Sequence, residues 1–176
     1  MIKRELYMNR IRPFIGGELI KVMTGIRRSG KSVMLELIKE ELAEAGVAPS
    51  QMISINFEDM RYSHLQTATA LHDEIIKRAE GIEGKAYLFF DEIQEVEGWE
   101  KCVNSLRVAL DCDIYITGSN AKLLSGELAT YIGGRYVEFV IYPFSFAEFL
   151  ELYHTIAPSD SIQQCFQKYL LAGGMP

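Results

Sequence analysis

The chain has 176 residues, 48% of them hydrophobic and 24% charged, with a net charge of −6. That suffices for one globular domain with a sizeable core, and it excludes a membrane span and, at "MIKRELYMNRIRPF", a signal peptide. Cys102, Cys112 and Cys165 form neither a CxxC pair nor a disulfide framework and read as reduced thiols of a cytoplasmic protein, and His64, His72 and His154 show no ligand spacing with them.

Strand and helix signals then alternate along the chain. "LIKVMT", 19–24, is a short apolar run ending at Gly25 and reads as a buried strand. A helix is expected over 31–45, with Met34, Ile38, Leu42 and Ala45 in one stripe and Gly46 at its exit. "QMISINF", 51–57, is the second strand, and a helix over 64–79 carries Leu65, Ala68, Leu71, Ile75 and Ala79. "AYLFF", 86–90, is the third strand and the most apolar. Trp99, Val103, Leu106 and Leu110 mark another helix, and "DIYIT", 113–117, the fourth strand. "AKLLSGELATYI", 121–132, suggests a short helix broken by Gly133 and Gly134. "RYVEFVIYP", 135–143, is the fifth strand, closed by Pro143. Ser145 and Glu148 are spaced as a capping box, and a last helix is expected over 160–171. This alternation predicts an α/β domain, a mainly parallel sheet covered on both faces.

Charge is unevenly spread. Residues 1–31 hold eight basic and two acidic side chains, a net of +6, against −12 for the remainder. The acidic body argues against broad nucleic-acid binding by this domain. The basic segment, which includes the loop, fits a local anion site better, and a solvated basic face is enough to account for Lys3, Arg4, Arg10 and Arg12.

"TGIRRSGKS", 24–32, lies inside that basic segment. It follows a strand and opens a helix, the context that a GxxxxGKS loop needs to cradle a polyphosphate with successive N–H groups. Gly25, Arg27, Arg28, Ser29, Gly30, Lys31, Ser32 and Val33 are the candidate nucleotide contacts. Lys31 would bridge the outer phosphates of ATP, and Ser32 would ligate Mg²⁺. In "YLFFDEIQ" the apolar strand runs into Asp91 and Glu92. Acids there project into the crevice where α/β proteins bind ligands. Asp91 is the second candidate Mg²⁺ ligand, and Glu92 would orient a water against the γ-phosphate. After the fourth strand, Thr117, Ser119 or Asn120 of "ITGSN" could reach the γ-phosphate, or simply form a turn.

Together these residues resemble the AAA+ branch of P-loop ATPases. More narrowly, "GIRRSGKS", "INFED", "FFDEIQ", "ITGSN", "GGRYVEF", "PFSFAEF" and "GGMP" are similar to a large group of bacterial and archaeal ATPases in which a domain of unknown function follows the AAA domain. The resemblance covers nearly the whole chain. It implies a three-layer, doubly wound parallel sheet of strand order 5-1-4-3-2. It gives Asp91 and Glu92 the Walker B roles and makes Arg135 an arginine-finger candidate that serves a neighbouring subunit of a homo-oligomer; pairing with Glu138 or Glu127 is the plainer alternative for that arginine. It also implies that residues 1–176 are one ATPase core, that 145–176 begin an incomplete helical lid, and that the chain is a piece of a longer protein.

Arg27 and Arg28 are extra to the cradle. On the outer curve of the loop they would brace it by forking onto Glu58, Asp59 or Glu92; direct contact with the γ-phosphate is the alternative. The expected activity is Mg²⁺-dependent ATP hydrolysis with no membrane partner. The competing readings are a nucleotide or small-molecule kinase and a non-hydrolysing, nucleotide-dependent interaction module.

Overall fold

The computed structural model describes residues 2–119, 132–157 and 160–175. The elements are α1 (Glu5–Ile11), β1 (Ile20–Thr24), α2 (Lys31–Glu44), β2 (Met52–Asn56), α3 (Ala68–Ala79), β3 (Ala86–Asp91), α4 (Trp99–Ala109), β4 (Cys112–Thr117), β5 (Tyr136–Val140), α5 (Phe146–Ile156) and α6 (Ile162–Ala172). The expected helix at 121–132 lies almost wholly outside the described residues.

The five strands form one sheet of order β2-β3-β4-β1-β5, every pair parallel. This is the expected order 5-1-4-3-2, read from the other edge. Successive residues of a strand face opposite layers. On β3, Leu88 and Phe90 join Leu71, Ile75, Val103 and Leu106 beneath α3 and α4. Phe89, between them, joins Met34, Ile38 and Leu42 of α2 and Tyr7, Met8 and Ile11 of α1. Two apolar layers therefore enclose the sheet, and β1, an interior strand, is buried at all five positions.

Two features differ from expectation, the start of α3 and the presence of α1. Residues 60–65 form a 3₁₀ turn, and α3 starts only at Ala68. Thr67 is held extended, its side chain capping Ala70 N–H at 3.3 Å, while the Ala68 N–H donates to the Glu97 carbonyl at 2.9 Å. Helix α1 carries no sequence expectation and covers one side of α2.

At the amino end of the strands Lys21 and Asp113 form a fully buried ion pair. Asp113 also accepts from Tyr115 Oη and the Gly16 N–H, each at 2.7 Å, and Lys21 donates to the Gly17 carbonyl at 3.0 Å. Burial pulls the Lys21 ammonium below its ordinary pKa, opposed by Asp113. Burial likewise pushes the Cys102 thiol up to about 12, so it is un-ionised and unreactive at neutral pH. The expected capping box at the start of α5 is present: Glu148 N–H donates to Ser145 Oγ at 3.3 Å, and the Ser145 N–H to the Glu148 carboxylate at 2.8 Å.

Candidate functional site

The loop 25–30 leaves the carboxyl end of β1 and enters α2, where parallel α/β sheets place their ligand crevice. Its shape follows from close packing. Gly25 has φ +147°, and a Cβ there would lie 2.2 Å from the Ile141 carbonyl oxygen. The Ser29 N–H closes the tip onto the Ile26 carbonyl at 3.2 Å. Ser29 Oγ is buried with no hydrogen-bond partner among the described residues. A cleft opens above the loop, lined by Arg27, Arg28, Gly30, Lys31, Ser32, Val33, Glu58 and Glu92.

Lys31 is only 4% exposed, yet its ammonium has only long contacts: the carbonyls of Gly25 and Ile26 at 3.4 and 3.3 Å, and Glu92 Oε1 at 3.5 Å. Glu92 also accepts from Gln94 Nε2 at 2.6 Å. Asp91 ends β3 buried, and its carboxylate takes a short hydrogen bond from Thr117 Oγ1. The same hydroxyl accepts the Glu92 N–H at 3.0 Å. Thr117 is thus committed to fixing the two acids. Ser119 lies just beyond, where the Gly118 N–H reaches the Met23 carbonyl at 3.3 Å, and Asn120 is outside the described residues.

Arg135 does not join this group. Its carbonyl accepts from Ile20 N–H at 3.1 Å, at the amino end of β1 and β5. The loop leaves the other end, about 13 Å away at the usual rise per residue. The alternative partner Glu138 accepts instead from Thr24 Oγ1 at 2.6 Å, and Glu127 lies outside the described residues.

The loop arginines differ from each other. Arg27 reaches Glu58 at 3.2 Å, with its side chain 84% exposed. Arg28 makes no side-chain hydrogen bond or ion pair among the described residues and sits at φ +65°. Asp59 is taken by Arg61, at 2.6 Å.

The buried brace comes from a residue that reads as a solvated charge in the sequence. Arg4 is 2% exposed. It donates to the Ser29 carbonyl, the Tyr142 carbonyl and Glu148 Oε1, each at 2.8 Å, between the rings of Tyr7 and Phe144. The solvated-face reading of Arg4 is therefore wrong. The only local signal for it is its place just ahead of an apolar set, Tyr7, Met8 and Ile11.

Among the described residues, three non-glycine positions have positive φ: Arg4, Arg28 and Glu92. All three border the loop. Backbone strain of this kind gathers at functional sites.

The model of a family described as "AAA domain" matches residues 18–150. The chain belongs to this AAA domain family. An uncharacterized protein of Haemophilus influenzae is 44% identical over the whole chain, which spans 44% of that relative's length. Among solved structures, the AAA family member is similar to Aeropyrum pernix ORC1 in complex with DNA (TM-score 0.61, 15% identity, 90% of this chain and 50% of that one). It is also similar to AMPPCP-bound DnaA from Aquifex aeolicus (TM-score 0.56, 15% identity, 90% and 52%). At such identities the likeness is one of fold: an AAA+ P-loop architecture. Among the described residues no helix is long and apolar enough to cross a membrane.

Proposed function

We propose that the domain binds ATP with Mg²⁺ and hydrolyses it, as the motor core of a longer protein. The observation that carries this reading is Lys31: a buried ammonium at the start of a helix, facing a cleft, with no contact shorter than 3.3 Å. A lysine is rarely buried unless paired, and here an anion in the cleft would complete its shell. The donor set fits a polyphosphate: Lys31, the first N–H groups of α2, and a loop whose curvature depends on a glycine packed against the Ile141 carbonyl. AMPPCP in the DnaA structure supports the same choice of ligand.

Ser32 and Asp91 are the residues that would hold Mg²⁺, which when bound neutralises charge on the outer phosphates. Glu92 would orient the attacking water. In the present arrangement its carboxylate is shared between Lys31 and Gln94. Phosphates competing for Lys31 would release one oxygen of Glu92 for that water. Arg135, remote from this cleft, would act on a neighbouring copy. The acidic body of the chain supports a mononucleotide rather than a polynucleotide ligand.

Two variants test the reading. Lys31→Ala should abolish ATP binding while circular dichroism stays that of the parent. Glu92→Gln should bind ATP and Mg²⁺ but lose roughly 100-fold or more in phosphate release. Unchanged affinity in Lys31→Ala removes the cradle. A phosphorylated acceptor in place of free phosphate favours a kinase, and ATP binding without turnover favours a nucleotide-dependent interaction module.

A further inference from the structure

We infer that Arg4 is a positioning residue: it fixes the orientation of the peptide joining Ser29 to Gly30, and through Glu148 it ties that peptide to the start of α5. The inference rests on the proposed use of the loop as a phosphate cradle.

The argument begins with the peptide plane. No cis peptide bond is found among the described residues. In a trans peptide the carbonyl and the next N–H point to opposite sides. Arg4 Nη1 grips the Ser29 carbonyl from inside the protein at 2.8 Å. The Gly30 N–H is therefore turned away from Arg4. That amide lies one residue before Lys31 and belongs to the row of N–H groups that would meet an anion. Released from Arg4, the plane could rotate and present a carbonyl where a donor is needed.

A lysine could not do the same work. Arg4 reaches three acceptors on three parts of the chain, and its planar fork lets Nε, Nη1 and Nη2 serve them together. The backbone of Arg4 sits at φ +45°, a conformation that costs free energy and that the surrounding contacts must maintain. Its counterion is not an idle surface acid. Glu148 is the third residue of α5, and the carboxylate that Arg4 binds also accepts from Ser145 N–H and Ser145 Oγ, at 2.8 and 3.0 Å. A shift of α5 moves Glu148, Glu148 moves Arg4, and Arg4 turns the Ser29 carbonyl. The amino-terminal segment, the cradle and the first helix after the sheet are thus one hydrogen-bonded unit.

The test compares the parent chain with Arg4→Lys, Glu148→Gln and the double variant. Arg4→Lys keeps the charge and most of the packing. Two readouts are taken: ATP affinity by titration calorimetry, and amide hydrogen exchange of residues 26–31 without nucleotide. The expectation is an affinity loss of about tenfold or more in Arg4→Lys, the scale of one lost hydrogen bond to a charged group. Exchange in the loop should quicken in Arg4→Lys and also, at a distance, in Glu148→Gln. The double variant should be no worse than Arg4→Lys alone, since both act through one guanidinium. A fall in melting temperature with loop exchange and affinity unchanged would overturn the inference and leave Arg4 as packing. Additive losses would overturn the link to α5. If the parent binds no ATP, the proposed function falls, and loop exchange alone still decides whether Arg4 holds the peptide.

Discussion

Replacing Gly25 with alanine tests whether packing, rather than chain flexibility, sets the loop. The added Cβ would meet the Ile141 carbonyl oxygen at 2.2 Å, far inside contact distance. That carbonyl cannot easily retreat. Ile141 is fully buried, and its own N–H donates to the Thr24 carbonyl at 2.7 Å, the bond that joins the chain beyond β5 to the end of β1. Backbone strain at positive φ costs about 1–3 kcal/mol, and an overpacked contact about 1–3 kcal/mol more. For a domain of this size, 2–6 kcal/mol lowers the melting temperature by roughly 5–20 °C. Gly46→Ala is the internal control: its φ is +92°, but nothing lies within 4 Å of the added Cβ. It carries the strain alone and should cost roughly 1–3 kcal/mol. Thermal unfolding of both variants, followed by circular dichroism at one scan rate, separates the two contributions. If Gly25→Ala melts at the same temperature as Gly46→Ala and binds ATP as the parent does, the close approach to Ile141 does not constrain the loop.

Three further outcomes follow from the geometry. Arg27→Ala should change stability by at most about 1 kcal/mol, because its pair with Glu58 is exposed and at 3.2 Å; a melting shift of more than about 4 °C would contradict this. Glu148 is raised by burial but lowered more by Arg4 and Ser145, so its carboxyl sits below the ordinary 4.5; the stability it contributes is present above that value and lost as pH falls below it. Glu148→Gln should flatten that acid limb, and an unchanged limb in urea titrations would assign it elsewhere. Arg135→Ala should keep ATP binding and lose turnover by ~10³-fold or more if the residue serves a neighbouring subunit; mixing it with Lys31→Ala should restore some hydrolysis, and an assembled, active parent with no such rescue would defeat the trans role.

Most of the sheet was legible because four of the five strands are short runs that stop at a polar residue, β5 alone running on into apolar Ile141. β1 ends at Thr24 before Gly25, β3 at Asp91, β4 at Thr117. A parallel strand buried on both faces has to be written that way. The α3 start was harder to read. Leu65 is buried in the same layer as Leu71 and Ile75, so the apolar stripe runs straight across a turn that is not α-helical. Thr67 marks the true start, but its bridge partner Glu97, bonded to the flanking Gln66 and Ala68, is far along the chain. Helix α1 is a seven-residue segment ending just before Pro13, too short for periodicity to stand out, although Tyr7, Met8 and Ile11 do fall on one face.

The role of the arginines was the least legible part, for a physical reason. In a sequence, Arg27 and Arg28 stand inside the motif and attract the bracing role, while Arg4 stands among Lys3, Arg10 and Arg12 and looks solvated. Burial of a guanidinium depends on acceptors, and those of Arg4 are separated from it by 25, 138 and 144 positions. No local pattern encodes that convergence. Its energetic consequence is the reverse of the sequence impression. The exposed pair of Arg27 contributes little, whereas Arg4 lies in a low-dielectric environment where a satisfied charge is strongly position-specific and an unsatisfied one is costly. If the loop is a phosphate cradle, one held from behind in this way would be ordered before any ligand arrives. Phosphate binding would then owe its strength to Lys31 and the aligned N–H groups, without the cost of folding a disordered loop at the moment of contact.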